Sequence, residues 1–417
     1  MPKLLYNIGL RAYTTAIALA APFNQKARLM LEGRKQQFER IEQALQHNQA
    51  PIAWFHCASL GEFEQGRPVI EAFREAFPTY KVFLTFFSPS GYEIRKNYPG
   101  ADYIFYLPLD SASNASQFLE TVRPKLAVFV KYEFWHYYLQ ALHQRHIPAL
   151  SVSAIFRPDQ VFFKSYGGFY RNILRNFQHI YTQNQSSAEL LRQNGIHQVS
   201  VAGDTRFDRV LQTAASVKAI PLVEAFLQRQ KAFIIGSSWP ADIEVLVPLI
   251  QKYRKQLKFI IAPHEIHEAG IHDILQVLGA GTVRFSQATA SAASEATVLI
   301  IDNIGMLSSL YSYGTYAYVG GAFGKGLHNT LEAAVFGLPL FFGTNYTKFQ
   351  EAKDLVNLGC AFPVTNADAL ISAFEKVHRQ QALHQSITNS EKQYVQQQAG
   401  ATVKIIQDIK RLLNPNS

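Results

Sequence analysis

The sequence predicts two doubly wound α/β domains, each a parallel sheet with helices on both faces. Three observations carry this expectation. Short runs rich in β-branched and aromatic residues recur along the chain, apolar at nearly every position, as strands buried on both faces are. Helical stretches separate them, the alternation that βαβ units produce. The pattern lapses near residues 213–222, which include Pro221, and then restarts.

In the first half, strands are expected at 52–57, 82–87, 103–106, 126–130, 149–153, 179–181 and 199–201, with helices such as 67–77 and 113–122 between them. In the second half they are expected at 233–236, 258–262, 282–285, 298–301, 316–319 and 338–342, with helices such as 242–257 and 332–336. The Gln-rich stretch 390–413 reads as one long terminal helix. The resulting division is an N-terminal helical segment (1–45), a first domain (46–212), a second domain (223–389) and a C-terminal helix (390–417). In open parallel sheets ligands bind beyond the carboxyl ends of strands, so function is expected in those loops and in a cleft between the domains.

At 417 residues the chain is long enough for two cores, and with 48% apolar and 17% charged residues it is globular. Cys57 and Cys360, its two cysteines, form no metal-ligand pattern and no disulfide framework. The net charge of +9 is uneven: residues 1–40 hold seven basic residues against two acidic ones. No zinc spacing, arginine-rich run or RNA-binding aromatic pattern accompanies that charge, so nucleic acid is not an expected partner. Residues 4–23 are apolar but interrupted by Asn7 and Arg11, and the longest uncharged stretch, 12–24, is about 13 residues, short of the roughly 20 that span a bilayer. No convincing cleavage site marks a secretory leader. An apolar segment followed by basic residues fits a helix lying on an anionic membrane surface, with packing on the protein's own core as the alternative.

The most informative motif is Val-Gly-Gly-Ala-Phe-Gly-Lys-Gly-Leu-His-Asn-Thr-Leu-Glu at 319–332. A strand running into paired glycines, then a helix start, suits a phosphate held by backbone N–H groups and the helix dipole. The lysine-serine ending of a P-loop is absent, so a nucleotide mono- or diphosphate is expected rather than ATP hydrolysis.

Other loops after strands carry charged groups. In His56-Cys57-Ala58-Ser59-Leu60-Gly61-Glu62-Phe63-Glu64, Glu62 falls near a helix start, either as a capping residue or as a general base. In Lys131-Tyr132-Glu133-Phe134-Trp135, Glu133 either pairs with Lys131 or serves a site. In Gly203-Asp204-Thr205-Arg206-Phe207-Asp208, Arg206 is either a structural ion pair or an anion clamp. Gly236-Ser237-Ser238-Trp239 and Ala262-Pro263-His264-Glu265 also follow strands. His264-Glu265-Ile266-His267 is one residue too short for the HExxH zinc motif, and no Asp-x-Asp occurs, so metal dependence is not expected.

Together these motifs resemble one family, the 3-deoxy-D-manno-oct-2-ulosonic acid (Kdo) transferases of lipopolysaccharide synthesis. The matching pieces are Ala58 to Glu62, Ser88-Pro89-Ser90-Gly91, Leu107-Pro108-Leu109-Asp110, Lys131 to Trp135, Gly203 to Asp208, Gly236-Ser237-Ser238, Pro263-His264-Glu265 and the glycine loop, in the family's order across about residues 50 to 360. The resemblance implies a GT-B glycosyltransferase with two Rossmann-like domains facing a central cleft and a membrane-associated N-terminus. It implies an inverting, metal-independent transfer of Kdo from CMP-Kdo to a lipid A precursor, lipid IVA, at the cytoplasmic face of the inner membrane. No cofactor is implied, and the expected partners are CMP-Kdo, the lipid A precursor and an anionic membrane surface.

By the same resemblance, Glu62 matches the proton acceptor, and Glu133 and Arg206 match positions that stabilise the transition state. Pro263 and His264, then Ile304, Gly305 and Met306, then Asn329, Thr330, Leu331 and Glu332 match the stretches that contact CMP. The chain departs from the family at Met306, where a carboxylate is common, at Leu327, where a glycine is common, and at Ala322, where serine is frequent. The competing readings are another GT-B enzyme using a UDP-sugar (a 2-epimerase or an N-acetylglucosaminyl transferase) and a non-catalytic scaffold at the membrane surface.

Overall fold

A run with no polar position has no face to give to water, and a sheet covered on both sides satisfies it. In the computed structural model, which describes residues 2–324 and 326–414, these runs form two sheets of seven strands, parallel throughout. The first compact unit comprises Met1–Arg209 and Ala399–Ser417, the second Val210–Gln398.

The first sheet contains β1 (Ile52–Cys57), β2 (Lys81–Phe86), β3 (Tyr103–Tyr106), β4 (Pro124–Val130), β5 (Ala149–Ala154), β6 (His179–Thr182) and β7 (Val199–Val201), in the order β3-β2-β1-β4-β5-β6-β7. Alternate residues of one strand feed opposite cores: Ile52 and Trp54 join Phe83, Phe118 and Phe129, while Ala53, Phe55 and Cys57 join Phe63, Phe73 and Val128. The order turns back between β1 and β4, so the loops after these two strands lie at a topological switch point. Both motifs singled out near the start of the chain, 58–62 and 131–135, are those loops.

The second sheet contains β8 (Ala232–Ser238), β9 (Lys258–Pro263), β10 (Thr282–Arg284), β11 (Val298–Ile300), β12 (Tyr316–Val319), β13 (Leu340–Phe342) and β14 (Ala361–Pro363), in the order β10-β11-β9-β8-β12-β13-β14. Its switch point lies between β8 and β12, whose following loops are 236–239 and the glycine loop. The strand β14 is absent from the sequence expectation.

The terminal stretch is also different from the expectation of one helix. One helix, Gln381–Gln398, belongs to the second unit, and a second, Ala401–Leu413, belongs to the first. Gly400 makes the break at φ 110°, a left-handed conformation that favours glycine. Asp208 then accepts from the Gly400 N–H at 2.7 Å and the Thr402 N–H at 2.9 Å, and Ile405, Ile406 and Ile409 fill the first unit's core. The unit boundary falls inside the helix Thr205–Ala215 rather than in the expected linker.

The N-terminal segment forms the helices Pro2–Ala20, Gln25–Glu32 and Gln37–Leu45. Leu4, Leu5, Ile8, Leu19 and Phe23 are exposed, whereas Tyr6 donates to Asp110 at 2.5 Å and Asn7 accepts from Tyr137 at 2.7 Å. Among the described residues no helix is long and apolar enough to cross a membrane.

Candidate active site

Ser59 caps the helix Leu60–Ala76 in extended conformation, and Glu62 lies in that helix's first turn. Glu62 does not cap the helix. Among the described residues its carboxylate takes one hydrogen bond, from the Ser59 hydroxyl. Close packing sets the loop: a Cβ on Gly91 would collide with Phe86 and crowd the Ser59 carbonyl carbon at 3.1 Å.

Glu133 is 8% exposed, and its partners among the described residues are two aromatic rings. It accepts from Trp135 Nε1 at 2.7 Å and lies 3.0 Å from His56 Nε2. The parallel register sets His56 opposite Thr85, and His56 Nδ1 lies 2.8 Å from the Thr85 hydroxyl, which also accepts from Trp54 Nε1 at 2.8 Å. A line of buried polar groups thus runs from Trp54 through Thr85 and His56 to the carboxylate. Lys131 turns the chain out of β4 at φ 67°, a strained conformation for a side-chain-bearing residue that re-aims the residues after the strand.

Arg206 sits in the first turn of its helix and forms the ion pair that its surroundings suggested. Asp204 accepts from its backbone N–H at 2.9 Å, from Nε at 2.8 Å and from Nη2 at 2.7 Å, which fixes the guanidinium plane. Thr205 Oγ1 lies 2.6 Å from both Ser153 Oγ and the Gln65 carbonyl oxygen, tying this turn to the helix that carries Glu62. The second aspartate, Asp208, has the separate structural role described above.

Two neighbours feel the charges of these groups. Burial pushes the Cys57 thiol well up, reinforced by the negative charges of Glu62, Glu133 and Glu64, which leaves an inert thiol beneath the loops. Burial likewise raises the Tyr132 hydroxyl, which feels Arg157, Glu62 and Arg206.

The second unit holds its loops with backbone geometry. A Cβ on Gly320 would strike the Ser237 carbonyl, and Gly321 adopts φ 94°. Asp242, 1% exposed, accepts from the Trp239 N–H, the Gly321 N–H and the Tyr318 hydroxyl, each at 2.9 Å, so one carboxyl clamps the loops after β8 and β12 together. Burial raises this carboxyl, opposed by the three donors. Lys325 lies outside the described residues.

The stretches expected to contact CMP converge here. His264 stacks on His328 with ring centroids 4.2 Å apart, joining the Pro263–His264 loop to the glycine loop. Ser308 donates to Glu332 at 3.0 Å and Asn329 Nδ2 donates to it at 3.1 Å, joining the 304–306 loop to residues 329–332. Ile304 is 89% exposed, Gly305 turns at φ 94°, and Met306 precedes the short helix Leu307–Leu310. The side chains of Thr330 and Leu331 are fully buried, so they shape the loop from beneath. The helix expected at 332–336 is a single turn, Leu331–Ala334, too short for the dipole the sequence suggested.

Sequence reasoning overlooked His56, Trp135 and Asp242 and gave Trp239 no role. Asp242 had a local signal, its position three residues after the helix-capping Trp239. Among the described residues no group of three or more His, Cys, Asp or Glu side chains is arranged to hold a metal ion.

Two doubly wound units with their polar loops at the carboxyl ends of parallel strands define the GT-B architecture of glycosyltransferases. The fold is shared with the UDP-GlcNAc 2-epimerase from Neisseria meningitidis, at 17% identity and a TM-score of 0.62, over 86% of this chain and 99% of that one. Residues 32–209 match the family model described as 3-deoxy-D-manno-octulosonic-acid transferase (kdotransferase). The 3-deoxy-D-manno-octulosonic acid transferase of Aquifex aeolicus is 26% identical over 76% of this chain and 84% of its own. That of Haemophilus influenzae is 24% identical over 87% of each. The chain is similar to Kdo transferases over most of its length, and the family model matches within its first half.

Proposed function

We propose that the protein transfers Kdo from CMP-Kdo to a lipid A precursor, lipid IVA, with inversion and without a metal ion. The observation that carries this reading is a set of oriented charged groups: at the first unit's switch point, Glu62 with one hydroxyl partner and Glu133 held by Trp135 and His56, and on the helix after β7, tied to the Glu62 helix through Thr205, Arg206 aligned by Asp204. Glu62 takes the proton of the acceptor hydroxyl as that oxygen bonds to C2 of Kdo. The C2–O bond to the phosphate breaks, its electron pair leaves with CMP, and Arg206 offsets the negative charge of the phosphate or of the sugar carboxylate. Glu133 supports positive charge developing at the sugar. Pro263, His264, the 304–306 loop and residues 329–332 hold CMP.

The exposed apolar residues of the helix Pro2–Ala20, followed by Lys26, Arg28, Lys35 and Arg40, suit an anionic surface, and we assign this segment to the cytoplasmic face of the inner membrane. Nucleotide preference tests the donor: CMP raises the melting temperature of the full chain and UDP does not, since only a bound ligand stabilises the fold. Stabilisation by UDP alone would replace this reading with a UDP-sugar enzyme.

A further inference from the structure

The glycine loop was expected to receive a phosphate with its backbone, yet its glycine amides are occupied. Gly320 N–H donates to the Gly236 carbonyl at 2.9 Å, Gly321 N–H to Asp242, and the Gly324 and Gly326 N–H groups to the Gly321 carbonyl at 3.0 Å each. The glycines shape the turn and leave recognition of an anion to other donors.

One side chain at the turn is prepared for that task. Trp239 Nε1 donates to His328 Nε2 at 3.1 Å, and an indole nitrogen can only donate. The accepting Nε2 therefore carries no proton, and in the neutral ring the proton is on Nδ1. The two rings lie within 10° of coplanar, and His264 stacks against both, at 4.2 Å from His328 and 4.7 Å from Trp239. That sandwich opposes rotation of the imidazole. Among the described residues nothing bonds His328 Nδ1, and the residue is half-buried. Burial and the neighbouring His264 push the His328 ring down to about 4, so it stays neutral near pH 7. Near the same turn the buried hydroxyls of Ser238 and Thr330 have no partner among the described residues.

We propose that His328, fixed as the Nδ1–H tautomer by Trp239, is the hydrogen-bond donor that reads the phosphate of the donor nucleotide, with Trp239 as its positioning residue. This rests on the reading of the second unit as the CMP-sugar site.

The test compares CMP with cytidine by calorimetry on the full chain. Asparagine places an N–H near the Nδ1 position and glutamine near Nε2, so the two substitutions separate the ring atoms. The wild type prefers CMP to cytidine. His328→Asn keeps that preference within about threefold, whereas His328→Gln and His328→Ala lose it by roughly tenfold or more. Trp239→Phe, which keeps the stacking but removes the N–H, loses part of it. Cytidine affinity stays constant and reports that each variant is folded; if His328→Gln does not fold, Trp239→Phe against His328→Asn carries the comparison. A His328→Gln variant with the wild-type preference overturns this inference alone. A wild type that binds neither ligand overturns the donor-site reading and this inference with it.

Discussion

Two buried glutamates are treated in opposite ways. Glu133, in the first unit, is 8% exposed and meets two ring nitrogens, the Trp135 indole and the His56 imidazole. Glu391, in the second unit, is fully buried and neither carboxyl oxygen has a hydrogen-bond partner among the described residues. Burial pushes the Glu391 carboxyl well above the usual carboxylate range, so it is neutral packing material. The contrast extends to the two sites. The first unit assembles charged groups and orients each with a partner, as proton transfer and charge development require. The second unit buries Glu391 neutral and uses glycines, ring stacks and one clamping carboxyl to fix loop shape. A buried ionisable group marks a site when the fold supplies partners for it.

Changes in the first unit should therefore act on rate, and changes in the second on stability and binding. The largest expected effect is that of Glu62→Gln, which removes the proposed base and lowers turnover by roughly 10²–10⁴-fold while CMP affinity is unchanged. Steady-state transfer rates set beside CMP calorimetry check this, and retained turnover would exclude Glu62 as the base.

Asp242→Ala should act the other way. It strands the Trp239 N–H, the Gly321 N–H and the Tyr318 hydroxyl, and the expected cost is about 3 kcal/mol by urea unfolding, together with weakened CMP binding. A loss well below this, with normal CMP affinity, would remove the clamp from the account.

Glu391→Gln sharpens the contrast through pH. A carboxyl whose folded value is raised above the unfolded one favours folding fully below about pH 4.5, and that contribution is lost as pH rises toward the folded value, by at most ~1.4 kcal/mol per pH unit. The variant should be more stable than the wild type at pH 8, with the two curves converging below about pH 4.5. Parallel curves across that range would mean that Glu391 is ionised in the folded chain.

The smallest stability effect belongs to Asp204→Ala. Its partner Arg206 has a side chain 24% exposed, so the pair contributes only about 1 kcal/mol after solvent screening. The loss of guanidinium alignment should instead appear as a fall of about tenfold or more in turnover. Equal effects on stability and rate would blur the distinction between the two units.

Most strands were legible because they are near-continuous apolar runs, and thirteen of the fourteen were expected from the sequence. The exception, Ala361–Pro363, is a three-residue edge strand next to Gly359, too short to show a period. The break at Gly400 was not legible because helix-forming residues flank it and its anchor, Asp208, lies 192 residues away in sequence. Glu62, Glu133 and Arg206 could be singled out by type and by resemblance. Their supports could not: His56 reaches Thr85 only once β1 and β2 are paired in register. The glycine loop was visible as a loop, but the occupation of its amides is a property of the folded turn. That is why the sequence pointed to backbone and the structure points to His328.

The central claim, that this chain is a working Kdo transferase, is tested most directly by mass analysis of the lipid after the purified full-length protein is incubated with CMP-Kdo and lipid IVA. The lipid product should be heavier by one or more Kdo units, with CMP released in equal number. An unchanged lipid, under conditions where an established Kdo transferase acts on the same substrates, would contradict it.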